Sequence, residues 1–122
     1  KSTRDFGIFA ENVAQKYLVD RGYKILDLNY KRKFAEIDII AGIENKIVFC
    51  EVKANLGNTE EIYSPEKRVN LEKFKKLAYS AQMYINDREL IEKEWQIDII
   101  SVVINAETKK AKIRHFKNIN FF

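Results

Sequence analysis

Residues 35–54, AEIDIIAGIENKIVFCEVKA, constrain the fold more than any other stretch of this chain. Two apolar runs with the spacing of strands flank Glu44 and Asn45, which are placed as a turn would be. The stretch therefore predicts a β-hairpin that contributes to the core. Charged side chains are costly to bury, yet the hairpin contains four of them: Glu36, Asp38, Glu51 and Lys53.

The predicted geometry of the hairpin brings these charges together. Residues two apart in a strand share a face, so Glu36 lies beside Asp38 and Glu51 beside Lys53. If the turn has two residues, Asp38 lies opposite Glu51 and Glu36 opposite Lys53. Two opposed carboxylates repel each other. They must share a proton, with one pKa raised, or bind a cation between them.

The chemistry of this set fits phosphodiester hydrolysis. Mg²⁺ is usually held by one or two carboxylates and water, and Lys53 would bring a positive charge to the same site. The metal would activate water, and the lysine would orient it or stabilise the transition state. The alternative is that the charges form the solvated side of an ordinary hairpin. The density of apolar residues around them favours a partly covered site, but the pattern leaves both interpretations open.

The rest of the chain predicts two helices and three more strands. The apolar spacing predicts a helix over 5–21 capped by Gly22, and a long helix from about Pro65 to Asn86 after a loop over 55–64. The predicted strands are 23–30, 35–42, 46–54, 95–104 and 111–116. The order α-β-β-β-α-β-β predicts an α/β fold in which helices flank a central mixed sheet.

Length and composition set further bounds. With 122 residues, 46% of them hydrophobic, the chain fits a single domain over 1–122. Cys50 is the only cysteine, which excludes an intrachain disulfide and a Cys-rich zinc site; its apolar neighbours predict a buried thiol. No apolar run is long enough to span a membrane and no signal peptide is evident, so we expect a cytoplasmic protein. The net charge of +4 permits nucleic-acid binding without requiring it.

The hairpin motif also carries a resemblance. EID followed by EVK resembles the D-x(n)-E-x-K signature of the PD-(D/E)xK nuclease superfamily. The whole chain resembles the YraN-like family of small bacterial predicted endonucleases, which are related to archaeal Holliday-junction resolvases. The segments that carry this resemblance are GIFAENVAQKYLVDRGYKILDLNY, AEIDII, VFCEVKA, SPEKRVNLEKFKKLAYSAQMYI and WQIDIISV. The resemblance implies a restriction-endonuclease-like fold.

The resemblance also implies roles for individual residues. Asp38 and Glu51 match the metal-binding acids, and Lys53 matches the catalytic lysine. In such sites the carbonyl group of Val52 often completes the metal shell. Glu11 matches a glutamate of the first helix and, from the rim of its apolar face, would act as an additional ligand. The alternative for Glu11 is an ordinary exposed helix residue.

Other matched residues are expected to support this site. Glu36 would hold Lys53 in place, and Lys73 would contact phosphate, although a surface lysine is the simpler alternative. Asp98 matches a late-strand aspartate, for which a structural role is equally expected, and we expect no catalytic role for His115. The basic groups at 31–33 (Lys31, Arg32, Lys33), 67–68 and 73–76 would hold duplex phosphates, unless they are merely solvated surface.

The expected function is a Mg²⁺- or Mn²⁺-dependent nuclease that acts on DNA, including branched or repair intermediates. The alternative is a nucleic-acid-binding module or adaptor that has the same fold but does not cut. Related resolvases are dimers, so the resemblance admits a homodimer, although the sequence shows no self-complementary apolar surface. No membrane partner is expected.

Overall fold

The computed structural model describes residues 3–57 and 70–120, which form two helices and five strands. Their order along the chain is the predicted α-β-β-β-α-β-β. The elements are α1 (Thr3–Asp20), β1 (Lys24–Lys31), β2 (Glu36–Ile43), β3 (Lys46–Leu56), α2 (Leu71–Asp87), β4 (Glu94–Ile104) and β5 (Ala111–Phe116).

The five strands form one mixed sheet in the order β1-β2-β3-β4-β5. All neighbouring strands are antiparallel except β3 and β4, which are parallel. Parallel neighbours need a crossover connection, and α2 lies within the segment that joins them. The predicted α/β architecture, a mixed sheet flanked by helices, is therefore confirmed.

Two apolar clusters surround the sheet, one for each helix. The α2-side cluster contains Phe74, Leu77 and Ala81 of α2, packed with sheet residues such as Ile37 and Phe49. The α1-side cluster contains Ala10, Ala14 and Leu18 of α1, packed with sheet residues that include Ile39, Val48, Cys50 and Ile100. Cys50 is fully buried, as predicted. None of the helices within 3–57 and 70–120 is long and apolar enough to cross a membrane.

The C-terminus of α1 follows from its glycine. Gly22 has a φ of 93°, a conformation that costs glycine little. The amide of Gly22 donates to the carbonyl of Val19, and the amide of Tyr23 donates to the carbonyl of Leu18, each at 3.0 Å. These two bonds form a Schellman motif, and the predicted cap at Gly22 is confirmed.

The N-terminus of α2 differs from the prediction. Asn70 has extended backbone angles, and its side chain accepts a 2.8 Å hydrogen bond from the amide of Lys73. A side chain that binds the third helical amide is an N-cap, so α2 begins at Leu71. The prediction of one continuous helix from Pro65 to Asn86 is therefore wrong. Residues 58–69, with the basic pair at 67–68, lie outside the described residues.

Candidate functional site

The turn of the β2–β3 hairpin forms as predicted. It contains two residues, and Glu44 has a φ of 56°, as the first central residue of a tight hairpin turn requires. The paired register runs from Ile43–Lys46 to Ile39–Cys50 and ends there. Asp38 and Glu51 therefore follow the last paired residues. The expectation that they oppose each other within the ladder is not met.

Asp38 instead uses its side chain to replace a ladder bond. The amide of Val52 donates to Oδ2 of Asp38 over 2.8 Å. The regular alternation of β2 is also interrupted at this residue. Ile37 packs in the α2-side cluster and Ile39 in the α1-side cluster, although residues two apart normally share a face. Glu36 and Asp38 nevertheless line the same cavity, so the two acids lie together although the alternation of the strand changes here.

Glu51 lies between two lysines on the α2 side of the sheet. Its residue exposure is only 6%. Oε2 of Glu51 is 2.7 Å from Nζ of Lys73 and 3.3 Å from Nζ of Lys53. Lys53 follows Glu51 by two residues in β3, and the predicted sharing of a face is confirmed. Lys73 comes from the first turn of α2, so the N-cap at Asn70 also positions a charge at the site.

Glu51 and Lys73 border an open cavity of about 480 Å³ between the β1–β2 connection, β3 and the start of α2. Asp38 and Glu51 both line it, so the structure brings the two predicted acids to one place. Among the described residues, the cavity is lined by Phe34, Ala35, Glu36, Asp38, Glu51, Asn70, Glu72, Lys73 and Lys76.

The electrostatic environment makes Asp38 a weak acid. Burial raises the pKa of its carboxyl group from 3.8 to about 7, assisted by the negative charges of Glu51, Glu11 and Glu36. The hydrogen bond from the amide of Val52 lowers the pKa but only partly offsets these effects. Desolvation and like charge both favour the neutral acid. Asp38 therefore exchanges a proton near neutral pH.

The two lysines of the site are shifted in opposite directions. Burial lowers the pKa of Lys53, and the nearby ammonium group of Lys73 lowers it further, against the attraction of Glu51. Burial also acts to lower the pKa of Lys73, but its hydrogen bond and charge interaction with Glu51 outweigh this, so the pKa of Lys73 is raised. Lys73 is thus the firmly held cation, and Lys53 is the amine that gives up its proton more readily.

Glu11 reaches the site only at longer range. Its charge raises the pKa of Asp38, but its hydrogen bond is to Asn29, whose Nδ2 lies 3.3 Å from Oε1 of Glu11. Within 3–57 and 70–120, no three His, Cys, Asp or Glu side chains are close enough to hold a metal ion together. The structure therefore brings Asp38 and Glu51 together, while Glu11 stays outside the pair. Glu36 is exposed, lines the cavity, and lies opposite Lys31 in the β1–β2 register. Among the described residues the ion pair of Lys53 is with Glu51, so the expected role of Glu36 in holding Lys53 is not seen.

The predicted basic loop is divided in two by its contacts. Arg32 forms a 3.3 Å ion pair with Asp87 near the end of α2, which ties the loop to the helix. Lys31 and Lys33 form no ion pair with other residues in the described part of the chain. Of the three loop cations, Arg32 is therefore held by an ion pair, whereas Lys31 and Lys33 form none among the described residues.

Asp98 occupies a separate place in the fold. It is fully buried and accepts hydrogen bonds from Nε2 of Gln96 at 2.8 Å and from the amide of Asn118 at 2.9 Å. Nε2 of His115 lies 2.7 Å from its other oxygen, and Nδ1 of that ring lies 3.0 Å from the hydroxyl of Tyr17. This network extends toward α1, away from the cavity, in agreement with a structural role.

Three residues near the site were not predicted from the sequence. Asn29 lies within β1 at a φ of 50° and its side chain donates to Glu11. An asparagine inside a strand was the available signal, since it is rare there and tolerates positive φ. Phe34 and Tyr79 are half-exposed rings in edge-to-face contact, with centroids 6.0 Å apart. Their positions in a basic loop and on the polar side of a helix were the signal for these two.

The donor set of the cavity suits a hard divalent cation. Asp38 binds Val52 through Oδ2, and Glu51 binds both lysines through Oε2. These contacts use one oxygen of each carboxylate and do not occupy the other. One or two carboxylates with water are the usual ligands of Mg²⁺, so the residues present fit the predicted metal.

Comparisons with known proteins identify the family. The sequence profile of "Uncharacterised protein family UPF0102" matches residues 10–102. A UPF0102 protein of Clostridium beijerinckii is 36% identical over 118 residues, covering 97% of this chain and 94% of the relative. A UPF0102 protein of Fervidobacterium nodosum is 38% identical over 112 residues, covering 92% and 79%. The YraN-like resemblance is confirmed at this level, and the chain belongs to the UPF0102 family.

Proposed function

We propose that this protein is a divalent-metal-dependent nuclease that hydrolyses phosphodiester bonds in DNA, built on a restriction-endonuclease-like fold. The observation that supports this most is the joint placement of Asp38 and Glu51 in one cavity, with Lys53 and Lys73 on Glu51. A purely structural hairpin gains nothing from placing Asp38 beside a second carboxylate that raises its pKa.

Asp38 and Glu51 would hold Mg²⁺ or Mn²⁺, with the carbonyl of Val52 as a further ligand. When bound, the ion supplies charge compensation on the phosphate and a more acidic water. Asp38 must be deprotonated to bind it, and with a pKa of about 7 a modest rise in pH is sufficient. Glu11 would act from α1 through its charge and its contact with Asn29.

The lysines divide the remaining work between them. Lys53, held 3.3 Å from Glu51, orients the attacking water. Lys73, whose pKa is raised, stays charged and stabilises the negative phosphate oxygens. Glu51 fixes the ammonium groups of both lysines, so they are positioned before substrate binds.

The basic surface around the cavity would hold the DNA backbone. Lys31 and Lys33 are exposed, and Lys76 lines the cavity. Contacts of this kind bind phosphates without reading sequence, and they weaken as salt increases. Arg32 contributes by fixing the loop against Asp87.

A second candidate is a nucleic-acid-binding module that does not cut. The 2.7 Å contact between Lys73 and Glu51 favours it, because an internal ammonium group already neutralises the carboxylate that a metal would need. Calorimetric titration with Mn²⁺ separates the two candidates. A nuclease binds the ion and loses affinity on Glu51→Gln, whereas a binding module shows no heat that depends on Glu51.

Cleavage assays test the proposal directly. Single-stranded, duplex, flap and four-way-junction DNA are incubated with Mg²⁺ or Mn²⁺ and the wild-type, Asp38→Asn or Asp27→Asn protein. Asp27 is the matched control because it is an exposed acid in an ion pair with Arg88. We expect Asp38→Asn to reduce cleavage at least about a hundredfold and Asp27→Asn to leave it unchanged. Equal metal-dependent cleavage by wild-type and Asp38→Asn protein would exclude the assignment.

A further inference from the structure

A second groove of about 470 Å³ lies beside the candidate active site, lined by Lys31, Arg32, Lys33, Phe34 and Tyr79. Phe34 lines both this groove and the acidic cavity, so the two are adjacent. The groove combines cations with aromatic rings, and its volume lies within the range of small-molecule sites. We name it the aromatic groove.

The two rings of the groove are exposed at unusual cost. Phe34 is 53% exposed and Tyr79 is 50% exposed. Their edge-to-face contact, with centroids 6.0 Å apart and planes at 67°, holds each ring in one orientation. Nζ of Lys33 lies 5.4 Å over the ring of Phe34. A ring whose face already attracts a flexible cation offers an accessible π surface.

The cations of the groove are arranged for a phosphate backbone. Lys31 and Lys33 have no ion-pair partner in the described segments of the chain, whereas Arg32 is held by Asp87. On α2, Lys75 and Lys76 precede Tyr79 by four and three residues, so all three lie on neighbouring positions of the helix surface. The rings therefore lie among lysines of the loop and of α2, of which Lys76 is ion-paired with Glu72 at 3.7 Å.

This combination selects one class of ligand. Aromatic rings among lysines bind single-stranded nucleic acid, because bases stack on the rings while phosphates pair with the cations. A base inside a duplex is already stacked and cannot present its face, so a duplex would use only the cations. An acidic peptide would also use the cations, but it would gain little from two rings.

We infer that the aromatic groove binds an unpaired base of DNA, stacked on Phe34 and Tyr79, next to the phosphodiester held in the acidic cavity. This inference rests on the proposed function and narrows its substrate to DNA with an unpaired stretch beside the cleaved bond. The ammonium group of Lys33 leaves the face of Phe34 when the base stacks and pairs with the adjacent phosphate.

Binding without cleavage tests the inference. The wild-type protein, in a chelator that removes divalent metals, is titrated into a short single-stranded oligonucleotide carrying a fluorescent base analogue whose emission falls on stacking. The blunt duplex of the same sequence is titrated in parallel. We expect tighter binding of the single strand, with quenching. Phe34→Leu and Tyr79→Leu each weaken single-strand binding about tenfold and leave duplex binding unchanged.

Matched variants exclude trivial explanations. Phe9→Leu removes a ring that is 45% exposed on α1, and Tyr79→Phe keeps the ring; neither should change the affinity. Lys31→Gln should weaken single strand and duplex alike and reduce the salt dependence by about one ion. Equal affinity for both DNA forms, no binding of either, or no loss on Phe34→Leu would overturn the inference.

The same measurements separate this inference from the proposed function. If the aromatic groove does not bind an unpaired base, metal-dependent cleavage still depends on Asp38 but is unaffected by Phe34→Leu. Failure of the nuclease assignment leaves stacking and single-strand preference intact in chelator, with no cleavage by any variant.

Discussion

Asp38 in β2 and Asp98 in β4 belong to the same sheet, with β3 between them, but their surroundings differ. Asp98 is fully buried, and both of its oxygens have partners: Gln96, Asn118 and His115. Asp38 is only partly buried and accepts one hydrogen bond, from the amide of Val52. The more deeply buried acid is thus the better satisfied one.

This contrast separates a structural carboxylate from one available for chemistry. A buried charge persists when hydrogen bonds replace its lost hydration, and Asp98 meets that condition. Asp38 lies next to Glu51 instead, and its pKa rises to about 7. Perturbed acids of this kind concentrate at functional sites, because an incompletely paired oxygen can still accept a cation or a proton.

The largest expected effect is the loss of stability on replacing Asp98, the acid whose two oxygens both have partners. Asp98→Ala should lower the free energy of unfolding by about 3–5 kcal/mol, because it leaves buried donors, including the ring of His115, without an acceptor. Urea unfolding measures this change. Asp27→Ala is the control: it removes an exposed ion pair with Arg88 and should cost less than about 1 kcal/mol. Equal losses in the two variants would remove the structural half of the comparison.

Replacement of Asp38 is expected to raise the free energy of unfolding, in contrast to replacement of Asp98. Its folded-state pKa of about 7 exceeds the usual 3.8, so the folded state binds more protons between these pH values. The free energy of unfolding therefore falls as pH rises through this range. The asparagine in Asp38→Asn cannot ionise, and its side-chain oxygen can still accept the hydrogen bond from the amide of Val52. The variant therefore does not lose stability as the pH rises through this range.

Asp38→Asn should therefore be more stable than wild type at pH 8 by about 1–3 kcal/mol. The difference should disappear toward pH 4, where wild-type Asp38 is protonated in the folded state. Urea unfolding at both pH values checks this. A stability difference that does not change with pH would mean that Asp38 is not a strained acid.

Much of this arrangement was predictable from local patterns. The strands, the two-residue turn and the cap at Gly22 follow from periodicity and from glycine's freedom at positive φ, which act over a few residues. The convergence of Glu51 and Lys53 also follows, since residues two apart in β3 share a face.

The features that were not predicted correctly depend on distant parts of the chain. The alternation of β2 changes at Asp38 because Ile37 and Ile39 pack against different helices, which periodicity within β2 cannot reveal. Arg32 is tied to Asp87, 55 residues away. The groove formed by Phe34 and Tyr79 depends on how α2 packs. No local sequence pattern specifies the distance between these two rings.

The pH dependence of cation binding is a further test of the difference between Asp38 and Asp98. A metal at Asp38 competes with its proton, so Mn²⁺ affinity should rise about tenfold between pH 6 and pH 8, around the pKa of about 7. Calorimetric titration in matched buffers measures this. Asp98→Asn, which lies outside the cavity, should keep the same pH dependence. Affinity that is constant over this range would place the ion elsewhere than at Asp38.

The smallest expected effect lies at the edge of the satisfied network. The hydroxyl of Tyr17 lies 3.0 Å from Nδ1 of His115, and because a carboxylate only accepts hydrogen bonds, Nε2 of that ring carries the proton shared with Asp98. Tyr17→Phe removes the hydrogen-bond partner of Nδ1 and should cost about 1 kcal/mol in the free energy of unfolding.

The control for this prediction is Tyr79→Phe. Tyr79 is half-exposed, so water can hydrogen-bond to its hydroxyl group. It should leave the free energy of unfolding unchanged. If Tyr17→Phe were equally neutral, the network around Asp98 would end at His115. The satisfaction of Asp98 would then depend on its three direct partners alone, and the contrast with Asp38 would rest on those contacts without support from α1.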